Sequence, residues 1–398
     1  MFKKLSARAQ NSDLDLRLLI PLLLNTALVQ IVTAVVRITT SYRAFELGLS
    51  TVWLGVIAAA FALFPIMIAV GVGRYIDRGH DARIAWLGST LFLVGCAGFA
   101  VWPSVEGLVV SSLVMGAGHL MLMATQQMLC VRAAGGARNM ESVFGHYMVA
   151  GAIGQGIGPY VVGWAGGGAT VPPTQTLFLV GLAVAVMSLA VALAMRPAPA
   201  KSRAESASEV VTVGALLRVP GLLPVVIAGV ILVASSDIII IYVPLLGAER
   251  HIDVADIGLL LTMRAAASMV GRLFYARIVA HTGRWPLMVF TTVIYAAAFA
   301  ALAAPLSLLP MYAIMAIMGF TFGIATTLSI TIVVDMTTAG ARGTANSLRI
   351  MGNRLGQFVL PFGAGVIAAA SGLSALLLVT AVAVAASAAA MHWKRPSS

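Results

Sequence analysis

Residues 142–165, SVFGHYMVAGAIGQGIGPYVVGWA, and residues 346–370, NSLRIMGNRLGQFVLPFGAGVIAAA, decide how this chain is organised. Each is long and apolar enough to cross a bilayer. Each also carries Gly-Gln followed by a proline, Gly154-Gln155…Pro159 in the first and Gly356-Gln357…Pro361 in the second. Working outward, Gly73-Arg74 matches Ala276-Arg277, and Ala137-Arg138 matches Ala341-Arg342. Counting 200 positions from Arg37 leads to Asp237, the one acidic residue well inside a predicted span. Offsets of 200 to 205 run along the whole chain of 398 residues. Two similar halves built from spanning helices are the signature of secondary transporters, whose halves rock about a site between them.

The rest of the sequence fits that reading. Hydrophobic residues make up 60%, charged ones 10%, and the mean hydropathy is +0.98, values incompatible with an ordinary soluble domain. Twelve helical spans are predicted, near 18–42, 51–72, 84–102, 107–131, 142–165, 174–195, 222–246, 256–276, 285–304, 311–334, 346–370 and 375–393. The fold class expected is therefore all-α and integral to the membrane, twelve helices in two pseudo-symmetric six-helix bundles. Residues 1–195 form the first bundle and 222–398 the second. Between them, 196–221 is a cytoplasmic linker that opens with the Pro-, Ala- and Ser-rich stretch RPAPAKSRAESASEVVTV. The first span is too long and too polar for a cleaved signal peptide.

Charge sets the expected orientation. With the N-terminus inside, 18 of the 25 basic residues fall on the cytoplasmic side and only Arg43 and Arg250 outside. That places both termini in the cytoplasm and the protein in a bacterial-type inner membrane. The net charge of +11 then records topology and contact with membrane lipids, and needs no nucleic acid. Cys96 and Cys130 lie in spans and do not form a disulfide framework. Short loops leave no room for a catalytic domain. No phosphate-binding glycine loop, zinc-binding helix motif or nucleophile elbow is visible, so neither an enzyme nor a bound cofactor is expected.

Charged groups inside spans are costly and face a bundle interior or a water-filled cavity. Here they occur only in spans 1, 7, 8 and 11, whereas spans 3, 6, 9 and 12 carry none and are expected outside. Thr26, Gln30, Thr33, Arg37 and Ser41 form one stripe on span 1; Arg264, Ser268 and Arg272 form one on span 8. Span 11 offers Arg349, Asn353 and Gln357, with Arg354 beside them. The substrate-cavity residues expected are Gln30, Arg37, His119, Asp237, Arg264, Asn353 and Arg354. Asp237 neutralises Arg37 or Arg264, and the excess of arginine favours an anionic or carboxylate-bearing substrate. On span 4, His119 reads as a hydrogen-bonded histidine among packed methionines, as a protonatable cavity group, or, with Met115 and Met123, as a site for a soft metal such as cuprous ion.

Two local motifs and the span count make the chain resemble the major facilitator superfamily over nearly its full length. Gly73-Arg74-Tyr75-Ile76-Asp77-Arg78-Gly79-His80-Asp81-Ala82-Arg83 resembles that family's loop between spans 2 and 3. The resemblance implies a cytoplasmic latch in which Asp77, with Arg74, Arg78 and Arg349, gates the cavity, Asp77 meeting the N-terminal end of span 11. Gly151, Gly154, Gly158, Pro159 and Gly163 resemble the glycine-proline signature that the family associates with antiporters. As small residues spaced along one helix they allow close approach to a neighbour, expected to be span 8. The family's proton-coupled drug antiporters carry an arginine in span 4 where this chain has Ser112. The function implied is secondary transport of a small organic solute, anionic or amphiphilic, by proton- or exchange-coupled efflux through rocker-switch alternating access. The alternatives are cuprous-ion uptake and a non-transporting membrane sensor. Partners expected are the solute, protons and membrane lipids, around a monomer.

Overall fold

The computed structural model describes residues 14–195, 218–337 and 342–393; no strand occurs among them. The helices are α1 (Leu16–Glu46), α2 (Thr51–Tyr75), α3 (Asp81–Val101), α4 (Val105–Ala133), α5 (Ala137–Gly166) and α6 (Thr174–Ala194). They continue with α7 (Leu222–Glu249), α8 (Val254–Thr282), α9 (Arg284–Leu302) and α10 (Leu308–Asp335). The last element runs over Arg342–Trp393, and Gly372, at φ 80° and ψ 169°, breaks it into two arms, α11 (342–371) and α12 (373–393). A side chain there would be strained, which is why the chain turns at a glycine. The interhalf linker expected at 196–221 lies largely outside the described residues.

Ten described helices, the last element counted once, are long and apolar enough to cross a membrane. Resolving its two arms and adding α5 accounts for the twelve predicted spans. Helix α5 has the length but is diluted by glycines, Gln155 and Pro159. Its burial depends on what packs against it rather than on its own hydropathy. Two starts are capped by side chains: Asp15 Oδ1 accepts from the Leu18 N–H at 3.2 Å, and Ser104 Oγ from the Gly107 N–H at 3.3 Å.

Packing follows the charge pattern of the spans. Helix α3 packs on α4 and α6, and α6 on α1, while contact between halves runs through α1–α7, α2–α11 and α5–α8. One face of the molecule, here the terminal face, carries the start of α1, the end of α6 and the start of α7; the opposite, distal face carries the short connections α1–α2 and α7–α8.

The largest buried apolar cluster joins both halves in the distal region, with Val35, Ile38, Tyr42 and Leu54 against Ile238, Tyr242, Leu260 and Ala364. Toward the terminal face the core divides. Leu18, Leu22, Leu129 and Tyr147 cluster in the first half, and Leu222, Val225, Ile332 and Met391 separately in the second. Several hydrogen bonds cross between halves from the midplane outward to the distal face. Thr51 Oγ1 donates to the Gly365 carbonyl at 3.0 Å and Thr262 Oγ1 to that of Gly156 at 3.1 Å. The Val254 and Ala255 N–H groups donate to the carbonyls of Ala169 and Gly167. The bundle is sealed distally, and its apolar core is divided toward the terminal face.

Two glycine crossings make that seal, and they are repeat mates. A Cβ on Gly55 would sit 2.7 Å from the Pro361 carbonyl oxygen and 3.1 Å from Gly365 Cα; one on Gly258 would sit 2.6 Å from the Pro159 carbonyl oxygen and from Gly163 Cα. Only glycine permits backbones this close. The α5 glycines divide their work, which corrects the sequence expectation. Gly163 meets α8 as expected, but Gly154 lies against Ala27 and Gln30, and Gly158 against Ile31 and Ala34, all on α1. The spacing shows that a helix approaches closely; which neighbour does so is a property of the bundle.

Candidate functional site

Helices α1 and α7 cross the molecule side by side, and their repeat-mate residues meet between them. Arg37 Nη1 donates to Asp237 Oδ1 at 2.9 Å, with about a tenth of each side chain exposed. The second carboxylate oxygen, Oδ2, accepts from Gln357 Nε2 at 3.0 Å, and Gln357 Oε1 accepts from Arg354 Nη1 at 3.1 Å. One carboxylate therefore holds one arginine directly and a second through an amide. The pairing left open between Arg37 and Arg264 goes to Arg37. Arg264, 7% exposed, donates instead to Ser236 Oγ at 2.9 Å, the residue beside Asp237, and its guanidinium lies 5.9 Å from the Phe322 ring centroid. Its buried Nε has no partner.

The facing wall belongs to α2 and α4. Arg37 stands 5.3 Å from the Phe61 ring centroid, and Phe61 stands 5.3 Å from the His119 ring. His119 is 8% exposed, touches Phe92 on another side, and has a hydrogen-bond partner at neither ring nitrogen. The Phe61 and Phe92 rings lie against it, and both of its ring nitrogens are buried among apolar neighbours. A cavity of about 20 Å³, the size of a single water, lies beside Arg37, Thr40, Ser112 and Met115.

Gln30 lies one layer nearer the terminal face. It accepts from Gln155 at 3.5 Å and donates to the Met123 sulfur at 3.5 Å, which also takes the Tyr147 hydroxyl proton at 3.7 Å. Met123 is thus committed to Gln30 and Tyr147. Met115 is fully buried, where a Cβ on Gly95 would collide with it. Among the described residues no group of three His, Cys, Asp or Glu side chains is placed to hold a metal ion. Asn353 is half-buried with an unpartnered Oδ1.

Of the gating residues, the Asp77 side chain lies outside the described residues. Arg74 and Arg78 are exposed, and Arg349 is half-buried. Gly79 (φ 86°) turns the chain between α2 and α3, and Tyr75 stacks on His80 with ring centroids 4.4 Å apart. An ion pair that sequence reasoning missed stands next to this turn, Arg132 Nη2 to Asp81 Oδ2 at 2.9 Å. Its repeat equivalent is Arg284–Asp335, with the charges exchanged. The same exchange occurs at the cavity, where Phe61–His119 of one half corresponds to Arg264–Phe322 of the other. Aligning the halves at an offset of 203 was the signal that could have found both.

Comparison with known proteins supports the architecture. The family model of the Major Facilitator Superfamily matches residues 22–246 and again 225–398. The nucleoside transporter NupG superposes with a TM-score of 0.78 at 14% identity, covering 96% of this chain and all of that one. The inward-open xylose transporter XylE from E. coli gives 0.76 at 14%, covering 96% of each chain. An inward-facing bacterial homologue of the human lysosomal transporter Spinster gives 0.76 at 15%, covering 94% of this chain and 96% of that one. No curated protein matches the chain significantly. The family match over nearly the whole chain makes this a multi-pass secondary transporter rather than an enzyme. The chain belongs to the Major Facilitator Superfamily.

Proposed function

We propose that this transporter moves a small anionic or amphiphilic organic solute, bound at the midplane by Arg37, Arg264 and Arg354 with Gln30, His119 and Asn353 around it. One observation carries the reading. Three buried or half-buried arginines stand around the single carboxylate of Asp237: Arg37 bonds it directly, Arg354 reaches it through Gln357, and Arg264 bonds the neighbouring Ser236 instead. That leaves a formal excess of two positive charges inside a membrane span, where unpaired charge is costly and an entering anion is the natural counter-charge. Arg matches carboxylate in a two-pronged geometry that an ammonium cannot offer.

The halves 1–195 and 222–398 move as two bodies joined by 196–221. The basic-residue asymmetry supports a cytoplasmic terminal face, so the state described here is open inward. Efflux or exchange, coupled to protons or to a counter-anion, fits the α5 glycine-proline run, and Asp77 with Arg74, Arg78 and Arg349 latches the terminal face when it closes. The protein works as a monomer surrounded by lipid in the inner membrane.

A stabilisation screen on the purified protein tests the substrate class. Ligand at 100 times its Kd raises stability by about 2.7 kcal/mol, so binding raises the melting temperature. Organic anions should stabilise the native protein and lose that effect in Arg354→Gln. Stabilisation by lipophilic cations or by cuprous ion instead, unaffected by Arg354→Gln, would overturn the reading.

A further inference from the structure

Away from the central site, the second half carries a long furrow on its membrane-facing side. It lies between α8, α9 and α10, holds about 540 Å³, and is walled by Ala267, Val270, Phe290, Ile294, Ile317 and Phe320. Val270, Phe290 and Ile317 stand exposed along its rim. We propose that this furrow seats an acyl chain of an anionic phospholipid from the leaflet on the terminal side, with Arg277 holding the phosphate at its mouth.

The internal repeat explains why the furrow exists. At an offset of 203, α9 and α10 correspond to α3 and α4, which cross at glycines. A Cβ on Gly88 would sit 2.7 Å from Met121 Cβ, and one on Gly118 would sit 2.4 Å from the Phe92 nitrogen. Their mates in the second half are Thr291 and Thr321, and both line the furrow. Side chains at these two positions keep α9 from closing on α10 as α3 closes on α4. The other wall is fixed by close backbone contact. A Cβ on Gly271 would sit 2.3 Å from the Phe320 carbonyl oxygen, and one on Gly319 would sit 2.0 Å from that of Arg264. With α8 locked to α10 and α9 held off, the gap is a built feature of the half.

The lining selects hydrocarbon. Thr291 Oγ1 donates to the Leu287 carbonyl at 2.8 Å and Thr321 Oγ1 to the Ile317 carbonyl at 2.7 Å, so both hydroxyl protons are spent on their own helices. A polar solute entering here would lose its water with little returned. Length points the same way. The furrow follows α8 from Ala267 to Ile278, which is about 16 Å of helix axis. Half of a hydrocarbon core about 30 Å thick is a single leaflet.

Charge identifies the lipid. Arg277 precedes the lining Ile278 and stands about two turns beyond Val270 on the same face of α8. It is exposed, its guanidinium lies 6.0 Å from the Phe274 ring centroid, and it makes no ion pair among the described residues. Exposed His281 follows one turn later, and half-buried Trp285 stands at the start of α9, an aromatic of the kind found at headgroup level. The Asp335 carboxylate at the end of α10 is committed to Arg284. A phosphate with an unbalanced negative charge matches this mouth. A second copy of the chain does not, because a two-fold axis through the furrow would bring Arg277 toward Arg277.

The test is native mass spectrometry of the full-length protein, released from detergent after incubation with equal amounts of dioleoyl-phosphatidylglycerol and dioleoyl-phosphatidylcholine. One phosphatidylglycerol per chain should be retained, several-fold in preference to phosphatidylcholine. Arg277→Gln should abolish the preference, and Ala267→Leu with Ala316→Phe, which fills the furrow, should remove the retained lipid. Equal retention of the two lipids, retention unchanged in both variants, or a dimer carrying no lipid would overturn the proposal. A second measurement needs no variant. Phosphatidylglycerol with a diazirine near the end of one acyl chain, activated by light on the native protein in vesicles, should label peptides within 267–294 and 316–324. Label spread over the outer faces of all the helices would overturn the site even if the filled variant does not fold.

Discussion

Asp237 matters less as an isolated carboxylate than as the hub that satisfies two arginines. Replacing it with Asn leaves Arg37 buried with no counter-charge, and breaking one side of a buried pair costs about 3–5 kcal/mol. Asp237→Asn should lower folding yield and melting temperature markedly, and Arg37→Gln in the same chain should restore most of the loss. Arg264→Gln should not, because Arg264 reaches Ser236 rather than the carboxylate. A thermal double-mutant cycle reads both; rescue by Arg264→Gln and not by Arg37→Gln would contradict the pairing described here. The sequence exposed Arg37, Asp237, Arg264 and Arg354 as costly charges but could not rank their pairings, since all four stand on different helices or different turns. Gln357, Phe61 and Ser236 were harder still to recognise. Polar amides, rings and small hydroxyls are common in spans, and only their distance to a charge gives them a role.

At the scale of the helices, two glycine crossings and two ion-pair clips do most of the positioning. An alanine at Gly258 must push against the Pro159 carbonyl, which is backbone and cannot swing aside. Overpacking of this kind costs about 1–3 kcal/mol, and here the cost falls on the distally sealed state alone. Gly258→Ala, and equally its mate Gly55→Ala, should shift the protein toward the distally open state. Gly145→Ala should not, having nothing within 4 Å of the added carbon. Distances between spin labels at the distal ends of α2 and α11 would show the shift, and unchanged distances in both variants would refute it. The clips allow a sharper test of the repeat. Because Asp81–Arg132 and Arg284–Asp335 occupy equivalent positions with exchanged charges, Asp81→Arg should destabilise while Asp81→Arg with Arg132→Asp recovers most of the melting temperature. Helix α5 shows why such contacts were only half legible. Its glycine spacing announces close packing, but Gly154 and Gly158 turn to α1 and Gly163 to α8 on different faces of one helix.

For the whole molecule, orientation is the prediction nearest the sequence. A reporter fused after Ser398 that works only outside the cytoplasm should stay silent, and activity would reverse the inside and outside assigned to the two faces. The number of spans, the division into similar halves and the positions of the buried charges follow from composition and order along the chain. Hydrocarbon admits only apolar segments with internally bonded backbones, and that constraint acts on each segment separately. The partner of Asp237, the neighbour of each α5 glycine and the sealing of the distal rather than the terminal face were decided by tertiary structure. These depend on distances between residues some 100 to 300 positions apart. A protein that must visit two arrangements of its halves carries one sequence for both, so which of them is populated is a matter of packing.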